Sequence, residues 1–316
     1  MKFAFVFPGQ GSQSVGMMAG FVGIQCVRDT FAEASDALGQ DTWALVTAGP
    51  VEALNQTVNT QPVMLTAGIA VYRAWREMGG ALPSVMAGHS LGEYSALTAA
   101  GAIEFADAVR LVRFRAQAMQ EAVAEGVGAM AAILGLDDDI VKAVCAEGAE
   151  NEVLEAVNFN SPGQVVIAGN KAAVERGMAL ARAKGAKRAL PLPVSVPSHC
   201  ALMLPAAKQL AKYLETVNIM QPAVPVLQNA DVTSFDDPAE IKAALVKQLH
   251  CPVRWVETIA YMAQNGVALT AECGPGKVLL GLNKRIAPEI QHHTLLDKAS
   301  IENTITVIKQ QYTIKY

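Results

Sequence analysis

The sequence has few charged residues, few aromatic residues and no two cysteines close together. Its five cysteines are an odd number and none forms a Cys-x-x-Cys pair, which argues against a disulfide framework or a zinc site. The formal net charge of −4 provides no surplus of positive charge to neutralise phosphates, so nucleic-acid binding is not expected. The scattered cysteines are typical of a protein from a reducing cytoplasm.

Long hydrophobic runs are also missing. The chain begins with an apolar stretch, but Pro8 and Gly9 end it far short of the roughly 20 residues of a membrane span, and short of a signal-peptide core. We interpret residues 2–7 as a buried strand and expect no membrane attachment. With 316 residues and 52% hydrophobic content, the chain can bury a large core as one domain, or as a domain with an insert.

Apolar runs bounded by glycine or proline alternate with helical patterns along most of the chain. The clearest predicted strands are residues 2–7, 84–87, 224–228 and 267–271. The clearest predicted helices are residues 62–78, 91–100, 104–121 and 241–248. This alternation predicts an α/β fold with a mostly parallel sheet.

The order of elements changes between residues 128 and 194. Here the pattern predicts strand, helix, strand, strand, helix and strand at 129–134, 137–146, 153–158, 164–168, 171–184 and 187–192. This is the β-α-β-β-α-β order of ferredoxin-like units. We therefore predict a small subdomain, residues 127–196, inserted into a large discontinuous domain formed by residues 1–126 and 197–316.

A Gly-x-Ser-x-Gly pattern at residues 88–92 centres on Ser90. In this pattern the serine occupies a strand-to-helix turn too sharp for side chains on its neighbours, so the hydroxyl projects and the next backbone N–H groups face the same space. The context fits, because a predicted strand precedes the pattern and a predicted helix follows it. Ser90 is therefore a candidate covalent nucleophile, with a serine that merely caps the helix as the alternative.

A serine nucleophile needs a base, and histidine is the usual one near neutral pH. His89 adjoins Ser90, where the turn should direct its ring away, and His292 and His293 lie in a polar C-terminal stretch. His199 lies in a loop just after the predicted insert and just before a predicted helix at 201–214, a common position for functional side chains. We therefore expect His199 to be the base.

An acid that would complete a catalytic triad is harder to find. Hydrolases with this serine turn run Ser, then Asp or Glu, then His, yet no acid between Ser90 and His199 stands in an obvious turn after a strand. A dyad is therefore the expectation. An uncharged group, such as a backbone carbonyl, would then orient the histidine.

The glycine-rich loop at residues 7–16 does not match a phosphate-binding loop. The third glycine position of the dinucleotide fingerprint holds Ser14, and no Gly-Lys-Ser/Thr follows. Such a turn can instead supply one backbone N–H to an oxyanion hole, with a second from the residue after the nucleophile. Gln10 and Leu91 are the candidate donors, and tight strand–helix packing is the alternative role for the glycines.

Arg115 interrupts an apolar stripe on the helix predicted at 104–121. A guanidinium that faces the core must find a carboxylate or several carbonyls, because an unpaired buried charge costs several kcal/mol. Either an internal acid pairs with Arg115, or a carboxylate of the substrate does.

One local basic stretch, residues 176–188, contains no acid. Its cations are Arg176, Arg182, Lys184, Lys187 and Arg188. A solvated helix end explains such a run most simply, and docking of an acidic partner is the alternative.

Six short motifs follow one another along the chain. They are Phe-Pro-Gly-Gln-Gly-Ser-Gln at 7–13, Gly-His-Ser-Leu-Gly-Glu at 88–93, Arg-Ala-Gln-Ala-Met-Gln at 115–120, Asn-Phe-Asn-Ser-Pro-Gly-Gln at 158–164, Pro-Ser-His at 197–199 and Glu-Cys-Gly-Pro-Gly-Lys at 272–277. In these motifs the sequence resembles the discrete bacterial malonyl-coenzyme A:acyl-carrier-protein transacylases, over essentially the whole chain.

The resemblance implies an α/β-hydrolase-like core with a ferredoxin-like insert. It implies that Ser90 is acylated, that His199 is its base, and that the Gln10 and Leu91 amides form the oxyanion hole. The remaining implied roles are Arg115 as the partner of the free malonyl carboxylate, Gln248 as the residue that orients His199 through its backbone carbonyl, and Asn160 as a lining residue.

The resemblance also implies the reaction and the partners. Malonyl-coenzyme A would be the donor and acyl carrier protein the acceptor, in fatty-acid biosynthesis, by a ping-pong transfer with no bound cofactor. A monomer is expected, since nothing in the sequence demands a dimer. Two other functions stay open at this point: a serine esterase or thioesterase, and a non-catalytic module that docks acyl carrier protein.

Overall fold

The computed structural model describes residues 2–194 and 196–313, which form two β-sheets surrounded by helices. The nine strands of this described part are β1 Lys2–Phe7, β2 Val85–Gly88, β3 Gly128–Leu134, β4 Leu154–Ser161, β5 Gln164–Asn170, β6 Arg188–Pro191, β7 Val226–Leu227, β8 Val267–Cys273 and β9 Gln291–Leu295.

Thirteen α-helices complete the described residues. They are α1 Gln25–Leu38, α2 Thr42–Ala48, α3 Val51–Leu54, α4 Thr57–Glu77, α5 Leu91–Ala99, α6 Phe105–Glu121, α7 Asp138–Ala149, α8 Lys171–Ala183, α9 Leu204–Leu214, α10 Pro238–Gln248, α11 Trp255–Gln264, α12 Val278–Ile286 and α13 Lys298–Thr313.

The larger sheet is parallel throughout, in the order β7-β2-β1-β8-β9. Side chains alternate between its two faces along the central strand. Phe3, Phe5 and Phe7 enter one apolar cluster, and Ala4 and Val6 enter a second cluster on the opposite face. Because helices cover both faces, the strand reads as a continuous apolar run, as buried parallel strands do.

The smaller sheet is antiparallel, in the order β4-β5-β3-β6. With α7 and α8 packed on it, its elements follow the β-α-β-β-α-β order that the sequence predicts, so the fold class is confirmed. All of these elements fall inside residues 127–196. The division of the chain at residues 126 and 197 stays a prediction.

Some predicted boundaries are wrong. Strand β7 contains only Val226 and Leu227, because the backbone of Gln228 turns away and its N–H donates to the Thr233 carbonyl. Helix α4 begins at Thr57, so that Pro62 lies inside it rather than at its start. A short 3-10 turn occupies the first three residues of the helix predicted at 201–214.

Two backbone hydrogen bonds join the smaller sheet to a loop of the larger unit. The Val253 N–H donates to the Val157 carbonyl at 2.8 Å, and the Phe159 N–H donates to the Val253 carbonyl at 3.0 Å. Val253 lies five residues after Gln248, so β4 is bonded directly to the segment that leaves the end of α10.

No helix within residues 2–194 and 196–313 is long and apolar enough to cross a membrane.

Candidate active site

Ser90 occupies the turn between β2 and α5, with a left-handed φ of 52°. Few residues other than glycine adopt this conformation, and it places the serine on a sharp bend. Two glycines allow the neighbouring chains to approach the bend. A Cβ on Gly92 would collide with the Phe7 carbonyl, and a Cβ on Gly9 would collide with the His89 carbonyl. The loop after β1 and the start of α5 therefore share one space beside Ser90.

Ser90 and His199 are in hydrogen-bonding contact, although 109 residues separate them in the sequence. The Ser90 Oγ lies 2.8 Å from His199 Nε2, and His199 Nδ1 lies 2.7 Å from the backbone carbonyl oxygen of Gln248. A carbonyl can only accept, so Nδ1 carries the proton and Nε2 is free to accept the proton of the serine hydroxyl. The carbonyl thus stands where a triad would place an acid.

His199 is almost fully buried and is uncharged near neutral pH. Burial, and then the positive charge of Arg115, lower the pKa of His199 to about 3. Its hydrogen bond to the Gln248 carbonyl acts in the opposite direction but is the smaller effect. The ring is therefore held as the neutral imidazole that a general base requires.

Arg115 is 1% exposed and lies beside the serine hydroxyl. Its Nη1 donates to Gln61 Oε1 at 2.8 Å, and its Nη2 donates to Gln248 Oε1 at 3.0 Å and to Ser90 Oγ at 3.2 Å. No carboxylate of the described residues lies within 4.0 Å of the guanidinium. Of the two partners that the sequence left open, an internal acid is therefore not the one that Arg115 has.

The two predicted oxyanion donors face the same cavity as Ser90. This cavity of about 130 Å³ is lined by Gln10, Ser90, Leu91, Arg115 and His199, among others. Within the described part of the chain, neither the Gln10 nor the Leu91 backbone N–H donates to another protein group. Both are therefore available to a developing negative charge.

Asn160 reaches the site through His89 and not through Ser90. The Asn160 Oδ1 lies 2.7 Å from His89 Nε2, and the His89 ring lies 5.5 Å from the Trp255 ring, so this histidine is directed away from the nucleophile. Asn160 lines a neighbouring cavity of about 520 Å³ between the two sheets. Asn158 lines both cavities, and its buried Oδ1 has no partner among the described residues.

Three buried side chains around the site were not found from the sequence. Gln61 accepts from Arg115, Asn229 bonds the backbone on both sides of His89, and Glu93 accepts from the Asn229 N–H. Gln61 and Asn229 are uncharged and Glu93 lies inside a motif already assigned to the serine turn, so none carried a separate signal.

The described residues contain no group of three or more His, Cys, Asp or Glu side chains placed to hold a metal ion.

The site therefore combines a serine on a sharp strand–helix turn, a neutral histidine and two backbone N–H groups that have no acceptor among the described residues, which is an arrangement suited to acyl transfer. A family model described as acyl transferase domain matches residues 4–299. The chain thus belongs to the acyl transferase domain family.

Individual relatives point to a narrower family within the acyl transferases. The chain is 58% identical over 301 residues to the malonyl CoA-acyl carrier protein transacylase of Escherichia coli strain K12, covering 95% of this chain and 97% of that protein. The solved acyl-carrier-protein S-malonyltransferase of Burkholderia pseudomallei matches with a TM-score of 0.96 and 59% identity, covering 97% and 100% of the two chains.

A third relative was solved with its partner. This malonyl-transacylase, in complex with a type II PKS acyl-carrier protein, matches with a TM-score of 0.96 and 53% identity, covering 97% of this chain and 99% of that one. The chain belongs to the malonyl CoA-acyl carrier protein transacylase family, and the resemblance read from its six motifs is confirmed.

Proposed function

We propose that this protein transfers the malonyl group of malonyl-coenzyme A to the phosphopantetheine thiol of acyl carrier protein, through a malonyl ester on Ser90. One observation supports this proposal most. A buried arginine that has no acid partner among the described residues lies 3.2 Å from a serine hydroxyl that is itself paired with a neutral histidine. An acyl group that carries a free carboxylate matches such a site, since the carboxylate supplies the missing counter-charge.

In the first half of the reaction, His199 Nε2 takes the Ser90 proton as Oγ attacks the thioester carbonyl. The negative charge on the carbonyl oxygen is stabilised by the Gln10 and Leu91 N–H groups. The C–S bond then breaks, and His199 returns the proton to the coenzyme A thiolate. The products of this half are free coenzyme A and malonyl-Ser90.

In the second half, His199 takes the proton of the carrier thiol. The sulfur attacks the ester carbonyl of malonyl-Ser90, and the same two N–H groups hold the oxyanion. The C–O bond breaks and the proton goes back to Ser90 Oγ. The enzyme is restored without a resident cofactor, because coenzyme A is a substrate and phosphopantetheine is carried by the partner.

The two cavities suit the two parts of the donor. The cavity at Ser90, about 130 Å³, has room for a short acyl group, and Arg115 lines its wall. The neighbouring cavity of about 520 Å³ shares Gln10, His89 and Asn158 with it and is the proposed location of the pantetheine arm. Asn160 lines this second cavity, where an amide side chain can bond the amides of the arm.

Intact-mass measurement after mixing with malonyl-coenzyme A tests the proposal. A stable increase by one malonyl group that is absent in Ser90→Ala, and that disappears when holo acyl carrier protein is added, is the expected result. Rapid release of free malonate without the carrier would instead favour the esterase or thioesterase. Carrier binding with no adduct under any condition would favour the docking module.

We further propose that the carrier is that of fatty-acid synthesis and that the protein acts as a monomer in the cytoplasm. A fatty-acid carrier and a type II polyketide carrier compared at equal concentration would test the first point. A clear kcat/KM preference for the polyketide carrier would contradict it. Sedimentation at micromolar concentration tests the monomer.

A further inference from the structure

The Asn229 side chain bonds the backbone on both sides of His89. Its Oδ1 accepts from the Ser90 N–H at 2.7 Å, and its Nδ2 donates to the Gly88 carbonyl at 2.6 Å. Asn229 is 1% exposed and lies just after β7, 139 residues from Ser90. One planar amide therefore spans the whole bend that carries the nucleophile.

Glu93 holds Asn229 from the opposite side. The backbone N–H of Asn229 donates to Glu93 Oε2 at 2.6 Å, and its carbonyl accepts from the Arg254 N–H at 3.1 Å. Glu93 is fully buried in the first turn of α5, one turn after Ser90. Every polar group of Asn229 is thus engaged, which leaves its amide one orientation.

The bend needs such support. A serine with φ of 52° and ψ of −108° lies outside the favoured backbone regions, and conformations of this kind cost on the order of 1–3 kcal/mol unless neighbouring groups impose them. The amide clamps the bend at its two ends. It also occupies the Ser90 N–H, so that the oxyanion is left to the Gln10 and Leu91 donors.

We propose that Asn229, anchored by Glu93, is a positioning residue that fixes the Ser90 turn in its reactive conformation. It touches neither the acyl group nor the thiol, and it acts through the backbone of Gly88 and Ser90. This inference rests on the proposed role of Ser90 as the acylated nucleophile.

The test measures the rate of Ser90 acylation by malonyl-coenzyme A, per folded molecule, by rapid quench and intact mass. Asn229→Ala should lower the acylation rate about 10²-fold, because a displacement of roughly 1 Å in the attacking atom has that effect. KM for malonyl-coenzyme A should change little, because Arg115 and both cavities are untouched. Asn229→Asp keeps an acceptor for the Ser90 N–H but places a second oxygen, which cannot donate, against the Gly88 carbonyl. Its acylation rate should fall by a similar factor.

The anchor gives a graded test. Glu93→Ala should lower the acylation rate, and Glu93→Gln should restore most of the loss, because its side-chain oxygen can still accept from the Asn229 N–H. Asn283→Ala is the matched control. Asn283 is also a fully buried asparagine, and its Oδ1 accepts from the Trp255 indole at 2.9 Å, but it lies outside the site. It should lose stability without losing acylation rate.

The outcomes separate this inference from the proposed function. Adduct formation in Ser90→Ala, or no adduct in the unmodified protein, would overturn the proposed function itself. With a Ser90 adduct established, acylation of Asn229→Ala at the wild-type rate, or a loss no larger than that of Asn283→Ala, would overturn the positioning role. A loss confined to KM would overturn it as well. If Asn229→Ala does not fold, Asn229→Asp and the two Glu93 variants decide the question.

Discussion

The Arg115 guanidinium donates a hydrogen bond to the Ser90 hydroxyl, with 3.2 Å between Nη2 and Oγ. The same cation lowers the pKa of His199, second only to burial. A substrate carboxylate on Arg115 would neutralise this charge at the moment when the serine proton must move to the imidazole. The group proposed to bind the acyl carboxylate is therefore also in electrostatic contact with the base.

Replacing Arg115 should change which acyl group is transferred. We expect Arg115→Ala to reduce the preference for malonyl over acetyl by about ten- to a hundredfold, the equivalent of roughly 1.5–3 kcal/mol for a charge-assisted pair. The measurement is kcat/KM for malonyl- and acetyl-coenzyme A. Arg110→Ala is the control, because Arg110 lies on the same helix but pairs with Asp107 at the surface. An unchanged preference would show that Arg115 does not bind the carboxylate.

Gln248 offers two different groups to the site. Its carbonyl accepts from His199, whereas its side-chain amide bonds Arg115 and the Ser90 carbonyl. Because Gln248→Ala keeps the carbonyl, we expect a loss in kcat of about tenfold, typical of a hydrogen bond to a charged group. His199→Ala should lose about 10²–10⁴-fold. Equal inactivity of the two variants in a steady-state assay would mean that the carbonyl is not the important acceptor.

The pH dependence of stability should show that His199 is buried as the neutral form. In the unfolded chain its pKa is about 6.5, but burial and Arg115 lower it to about 3 in the folded protein. The unfolded state therefore binds more protons between these values, and the free energy of unfolding falls as the pH decreases through that window. At pH 5 the loss from this one residue is about 2 kcal/mol relative to pH 7.

His199→Gln isolates this contribution. Buried Glu93 and Glu272 have raised pKa values, about 8 and about 7, so the stability that they contribute falls as pH rises and opposes the histidine effect. Subtracting the pH dependence of the free energy of unfolding of the variant from that of the wild type removes the contributions of these two glutamates. Urea unfolding of both proteins at pH 5 and pH 7 is the measurement. Parallel losses in the two proteins would contradict the lowered pKa.

Carrier docking on the basic stretch at residues 176–188 stays a prediction, which the structure makes more specific. Arg176 already pairs with Glu152 at 2.8 Å and Lys184 with Glu147 at 3.0 Å, while no carboxylate of the described residues lies within 4.0 Å of Arg182. We expect KM for the carrier to rise with salt, and to rise about tenfold in Arg182→Glu and less in Lys184→Glu. Lys142→Glu, on α7, is the control, and a KM for the carrier that is no higher in Arg182→Glu and Lys184→Glu than in this control would exclude the surface.

Local sequence pattern was sufficient to propose a residue whose role depends on its neighbours in the chain. Ser90 and Leu91 could be found because the turn, the strand before it and the helix after it are written in one short segment. Arg115 could be found because one cation on an apolar helical stripe conflicts with burial. His199 needed the further premise that a serine requires a base, and the sequence alone supplied no contact between the two.

Contacts across long sequence separations could not be found in this way. Asn229 and Gln61 are ordinary amides whose partners lie 139 and 54 residues away, and no spacing rule links them. The Gln248 carbonyl is a main-chain group present at every position, so only the resemblance pointed to it. The short strand β7 shows the same limit. The apolar run predicts a strand over residues 224–228, but the backbone turns at Gln228 to make a contact that the local sequence does not indicate.

The two backbone bonds between β4 and Val253 restrict how the molecule can move. If the antiparallel sheet rocked as a rigid body to widen the larger cavity, it would have to break both bonds or pull Val253 with it. Val253 follows the carbonyl that fixes the His199 tautomer by only five residues, so such a pull would reach the proton-transfer pair. Opening of the cavity proposed for the pantetheine arm and alignment of the base are thus linked through Val253, and we expect the arm to enter by side-chain rearrangement rather than by hinge motion.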